Sequence, residues 1–162
     1  MTHRFIADEW KIIEEGFSPD QNRFAESIFT LGNEHMGLRG FFEERYSGDS
    51  LPGIYLAGVY YPDKTKVGWW KIGYPDYFAK VINSTNWIGI DIEINGVPLD
   101  LATSQFRAFR RELDMKNGRL TRSFIWEGPN GEEIAFTFSR FLSMTRKNIA
   151  CLAVEVNPLN FN

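Results

Sequence analysis

At 162 residues the chain carries about one domain's worth of polypeptide, so a complete multi-domain enzyme is not expected and its work rests on a single core. Eighteen basic against 21 acidic side chains leave a formal charge of −3, which gives no electrostatic footprint for nucleic acid or an anionic membrane. A single cysteine excludes an internal disulfide, Asp8 and Glu9 stand where a secretory leader would be apolar, and no apolar run approaches a membrane span, so a cytoplasmic chain is expected.

The 15 % aromatic content favours pleated, half-buried surfaces, and the elements follow suit in chain order. Residues 7–16 read as strand-like or irregular, with Trp10, Ile12 and Ile13 among acids. Residues 24–31 and 36–39 are too short for periodicity to choose between helix and strand, and no segment shows a capped 3.6-residue stripe. Residues 54–61 and 77–83 read as short strands. Between them, residues 62–76 read as a long loop with an unusual apolar load. Ile88, Ile90, Ile92 and Ile94 then alternate with Gly89, Asp91 and Glu93. Asn95-Gly96 tolerates the positive φ angles of a type I′ turn, and Val97, Leu99 and Leu101 resume the alternation, which predicts a hairpin with Pro98 near an edge. Residues 104–113 and 119–127 predict a second hairpin, the latter alternating Leu120, Arg122, Phe124 and Trp126. A turn at 128–131 leads into residues 132–142, and residues 149–156 read as a strand covered on both faces, with Cys151 as a buried small hydrophobe. The expected fold is an all-β, antiparallel sandwich.

Chemistry-bearing patterns are sparse. Two histidines, His3 and His35, without a cysteine pair give no zinc set, and no metal or organic cofactor is expected. The glycines of residues 32–40 lack both the Lys-Ser/Thr ending of a P-loop and dinucleotide spacing; positive φ or close backbone approach at a turn explains them. The carboxylate pairs Glu14-Glu15, Glu43-Glu44 and Asp91/Glu93 read as solvated faces rather than a general acid and base. Asn83-Ser84-Thr85 is a sequon without a secretory leader. Tyr60, Tyr61, Trp69, Trp70, Tyr74 and Tyr77 remain as a sugar-stacking platform, an interface or loop core, with Trp69, Trp70 and Tyr74 the candidate sugar-facing or interface residues. No catalytic residue is found in the chain.

The run Glu26-Ser27-Ile28-Phe29-Thr30-Leu31-Gly32-Asn33-Glu34-His35-Met36-Gly37-Leu38-Arg39-Gly40 resembles the opening of the glycoside hydrolase family 65 disaccharide phosphorylases. Tyr46-Ser47-Gly48-Asp49-Ser50-Leu51, Gly53-Ile54-Tyr55-Leu56-Ala57-Gly58-Val59, Tyr61-Pro62-Asp63-Lys64-Thr65 and Val67-Gly68-Trp69-Trp70-Lys71 look like the maltose phosphorylase branch, and Glu93-Ile94-Asn95-Gly96 and Arg122-Ser123-Phe124 extend the likeness over nearly the whole chain. The family more commonly reads Asn-Gly-Tyr or Asn-Asp-Tyr at Asn33-Glu34-His35. The resemblance implies that residues 1–162 are an N-terminal β-sandwich domain, truncated within that domain, and that catalysis belongs to a following (α/α)6 barrel absent here. It further implies inverting phosphorolysis of an α-linked glucose disaccharide, with inorganic phosphate as co-substrate, and a homodimer.

Overall fold

The computed structural model describes residues 3–65 and 72–161. Strands β1 (Arg4–Ala7) and β2 (Lys11–Glu15) open the chain as a hairpin; after a 3-10 turn at Pro19–Gln21 comes the one α-helix among the described residues, α1 (Asn22–Ile28). Short strands β3 (Leu31–Gly32), β4 (Met36–Leu38) and β5 (Ile54–Leu56) follow, then β6 (Tyr60–Lys64), β7 (Tyr77–Val81), β8 (Glu93–Ile94) and β9 (Val97–Pro98). Four long strands close the series: β10 (Gln105–Asp114), β11 (Arg119–Glu127), β12 (Glu133–Leu142) and β13 (Ala150–Pro158).

The main sheet has six antiparallel strands in the order β1-β2-β10-β11-β12-β13. Its period-2 alternation is carried by β11 and β12, where every second side chain is buried. β10 keeps register with β11 only through a bulge between Arg107 and Arg110, where Ala108 takes a left-handed φ of 55°. A second layer covers one face of this sheet. Ala25 of α1, Phe29 at its C-cap, Leu31, Met36, Leu38 and Ile54 of the small β3-β4-β5 sheet, and Ile88 pack on Leu113, Leu120 and Leu142. Phe42, Leu99 and Leu101 cover Phe109, Phe124, Trp126, Phe136 and Phe138 in a second cluster. The sheet and its covering layer form the expected antiparallel β-sandwich.

Several expectations are corrected. Helix α1 spans only seven residues and has no side-chain N-cap, so no apolar stripe or capping signal marks it. Residues 54–61 divide between two sheets at Gly58, whose φ is +86°. The expected loop at 62–76 begins as strand, since Pro62, Asp63 and Lys64 continue β6. The Asn95-Gly96 turn has both φ values positive, 51° and 81°, yet its ladder shrinks to Glu93↔Pro98 and Ile94↔Val97, because Pro98 has no N–H to donate. β13 is not covered on both faces: it pairs only with β12, and Cys151, Ala153 and Glu155 on its outer side are exposed. Of the glycines at 32, 37 and 40, none has positive φ; Gly40 acts through close approach, for a Cβ there would lie 2.7 Å from Phe29 Cβ.

Candidate functional site

β6 and β7 form a separate two-stranded ribbon with register Tyr60↔Val81 through Lys64↔Tyr77. Alternation puts Tyr60, Pro62, Tyr77, Ala79 and Val81 on one face, and Tyr61, Asp63, Phe78 and Lys80 on the other. The second face holds an ion pair, Lys80 Nζ to Asp63 Oδ2 at 3.0 Å; the first has no charge except Lys64 at its end. Tyr61 and Phe78 are each 57 % exposed, and every residue of β7 is exposed. A lone two-stranded ribbon with aromatics on both faces is marginal in water and suits contact with another surface. Of the three residues singled out from the sequence, Trp69 and Trp70 lie outside the described residues. Tyr74 follows them and is 41 % exposed, next to the segment where Thr65 Oγ1 donates to the Pro75 carbonyl.

The inner face of the main sheet carries charges that the sequence reading placed in water. Glu14, Arg111, Arg122 and Phe138 lie in one register row across β2, β10, β11 and β12, with Arg140 opposite Leu120 one pair away. All three arginines are buried, as are Glu14, Glu43 and Glu44, so the carboxylates at 14, 43 and 44 are not solvated. Arg111 Nε donates to Glu14 Oε2 at 2.8 Å and its Nη1 to the Gly40 carbonyl at 2.8 Å. Arg122 donates from Nη1 to Glu44 Oε1 and from Nη2 to Glu43 Oε2, both at 2.8 Å, and also pairs with Glu44 Oε2. Arg140 Nη1 reaches Glu43 Oε1 at 2.9 Å, and its Nη2 donates to the Arg39 carbonyl. Three cations thus meet three carboxylates, and Glu43 bridges two of the cations.

This belt separates the two apolar clusters and fastens residues 39–44 onto the sheet. Phe42 and Phe138 sandwich the Arg122 guanidinium, at 4.2 and 4.4 Å from its centre. Burial pushes the Glu43 carboxyl up, but Arg140 and Arg122 outweigh it and hold the group below the usual carboxylate range. Burial likewise pulls Arg122 down, and Glu44 and Glu43 more than restore it. A general acid needs the opposite environment, an apolar pocket that keeps its proton on near neutrality. The belt is therefore a structural clamp, and Glu43 is not a candidate for acid catalysis. Only long-range pairing across 78 or more residues reveals it; nothing local to Glu43-Glu44 does.

Residues 12–162 match the model of the glycosyl hydrolase family 65 N-terminal domain. The chain belongs to this family. Across the family 65 relatives, maltose phosphorylase of Bacillus subtilis (strain 168) is 44 % identical over 96 % of this chain, and α,α-trehalose phosphorylase of Thermoanaerobacter brockii is 35 % identical over 95 %. Kojibiose phosphorylase of Halothermothrix orenii is 29 % identical over 94 %. The solved structure of a putative kojibiose phosphorylase from the human microbiome superposes with a TM-score of 0.87 at 33 % identity, covering 96 % of this chain and 21 % of its own. The chain spans about a fifth of these relatives, 20 % of each of the first two and 18 % of the third. The relatives are enzymes, and the segment they share with this chain is their family 65 N-terminal sandwich.

Proposed function

We propose that this chain is the non-catalytic N-terminal domain of a cytoplasmic maltose phosphorylase, followed in its parent polypeptide by an (α/α)6 catalytic barrel. The observation that carries the choice of disaccharide is the identity gradient: 44 % to a maltose phosphorylase, 35 % to a trehalose phosphorylase and 29 % to a kojibiose phosphorylase over nearly the same residues. The parent reaction is phosphorolysis with inversion. Phosphate attacks the anomeric carbon while an acid on the opposite side protonates the departing oxygen, giving β-glucose 1-phosphate and glucose. No residue of this chain is assigned to either step. Its contribution is to present a rigid sandwich, with the ribbon and the connection bearing Trp69, Trp70 and Tyr74 as a protein-facing interface in a two-fold dimeric enzyme.

The test is expression of the chain alone and joined to its downstream reading frame, each incubated with phosphate and maltose, trehalose or kojibiose. Expected is no turnover by the 162-residue chain, and phosphate-dependent glucose release from maltose by the longer polypeptide. Faster phosphorolysis of trehalose or kojibiose would overturn the choice of sugar. Turnover by the short chain, abolished by one Asp or Glu substitution within it, would overturn the non-catalytic role.

A further inference from the structure

A cavity of about 870 Å³ opens where the β11–β12 turn, strand β9, the start of β10 and residues 45–47 meet. Its volume falls within the range of small-ligand sites and holds one or two sugar rings. Val97, Pro98 and Pro129 supply apolar wall, and four carboxylates, Asp100, Glu127, Glu132 and Glu133, stand against two guanidinium groups, Arg45 on the lining and Arg107 paired to Glu127 and Glu133. That balance repels phosphate and other anions.

The hydrogen-bonding capacity is of both signs. Among the described residues the exposed side chains of Arg45 and Gln105 make no hydrogen bond or ion pair, which leaves donors on one side of the cavity. On the other side Glu127 takes Arg107 Nε on Oε1 at 2.9 Å, Glu133 takes Arg107 Nη2 on Oε2 at 2.8 Å, and each carboxylate keeps further acceptor capacity. Beneath them Asp100 is buried, its Oδ1 accepting the Ser47 and Ala102 N–H groups, so the floor is held rigid by backbone. An anion would use only the donors and a cation only the acceptors. A hydroxyl both donates and accepts, and a saccharide also offers a C–H face to Val97 and Pro98.

We propose that this cavity is a binding site for a neutral saccharide, separate from the chemistry assigned to the parent enzyme and independent of which disaccharide that enzyme cleaves. Gln105 and Arg45 donate to ring hydroxyls, Glu127 and Glu133 accept from them, and the apolar wall carries the C–H face.

The 15N-labelled chain titrated with glucose, maltose, glucose 1-phosphate and Nα-acetyl-lysine amide tests this. Expected are saturable amide shifts with the two neutral sugars, confined to residues 45–47, 97–105 and 127–133, and weaker binding of glucose 1-phosphate. Arg45→Ala and Gln105→Ala should each weaken maltose binding about tenfold, the loss of one hydrogen bond, with an unchanged thermal midpoint because both side chains are exposed. Absence of shifts at millimolar sugar, shifts centred on β6 and β7, tighter binding of glucose 1-phosphate, or equal shifts with the lysine amide would overturn it, the last by revealing a cation site.

Discussion

Replacing Arg122 by Met removes the guanidinium while keeping an apolar chain between Phe42 and Phe138. Glu44 then loses both of its hydrogen-bond partners, since Arg122 Nη1 and Nη2 are the only groups that bond its carboxylate among the described residues. Glu43 keeps Arg140 Nη1 at 2.9 Å. The variant therefore holds one uncompensated carboxylate in a side chain that is 0 % exposed. Removing one partner of a buried pair costs about 3–5 kcal/mol, a large share of the 5–15 kcal/mol typical of a domain. At roughly 2–4 °C per kcal/mol for a domain of this size, the midpoint should fall by about 10 °C. Thermal unfolding followed by tryptophan fluorescence, to which the buried Trp126 contributes, measures it. A companion variant distinguishes charge from packing. Arg122→Met combined with Glu44→Leu should recover most of the loss, because the orphaned charge is gone. A stability within about 0.5 kcal/mol of the parent, or a double variant no better than the single, would refute the clamp.

The unsubstituted chain should lose stability in acid. Burial opposes the Glu43 charge but Arg140 and Arg122 depress its pKa, so its stabilisation is present above the unfolded carboxyl value of about 4.3 and is lost as pH falls through the folded value; a urea midpoint that rises below pH 4 would contradict this. Gly40→Ala should lose about 1–3 kcal/mol by calorimetry, because its Cβ meets Phe29 Cβ at 2.7 Å and the Phe29 carbonyl at 3.0 Å, whereas wild-type stability would show that the 39–44 segment is not seated on α1. Tyr61→Ser with Phe78→Ser should leave the thermal midpoint of the isolated chain within about 2 °C while disrupting assembly of the longer polypeptide in sedimentation; a large loss in the isolated chain would place the ribbon in the core.

What could be read in advance follows from how local each signal is. The alternation of Leu120, Arg122, Phe124 and Trp126 marks β11, and even places Arg122 on the buried face with its apolar neighbours. Its partners cannot be read the same way: Glu43 and Glu44 lie 79 and 78 residues away, and as adjacent carboxylates in an irregular segment they resemble any solvated pair. β13 misleads for a different reason. Cys151 and Ala153 count as apolar in an unbroken run, but small side chains tolerate water on the outer face of an edge strand. The cavity beside Asp100 leaves no local pattern, since four segments from residue 45 to residue 133 supply its walls. Of the aromatic candidates, Tyr60, Tyr61, Tyr74 and Tyr77 are exposed as an interface or platform requires, and Trp69 and Trp70 lie outside the described residues.

The belt also bears on why the meander has one register. Arg111 faces Arg122, and Leu113 faces Leu120. Sliding β11 by two residues preserves its inside-outside alternation, so the hydrophobic pattern alone opposes such a slip only weakly. The slip would, however, bring Arg122 level with Leu113 or Phe109, inside one apolar cluster or the other, and away from Glu43 and Glu44. Glu44 would lose its cation, Glu43 one of its two, and a guanidinium would enter a cluster with no carboxylate, a combined cost of several kcal/mol. A purely apolar inner face would lack that penalty. Buried charge here thus selects among strand pairings of similar hydrophobic burial, and the same three arginines that fix the register also tie residues 39–44 to the sheet.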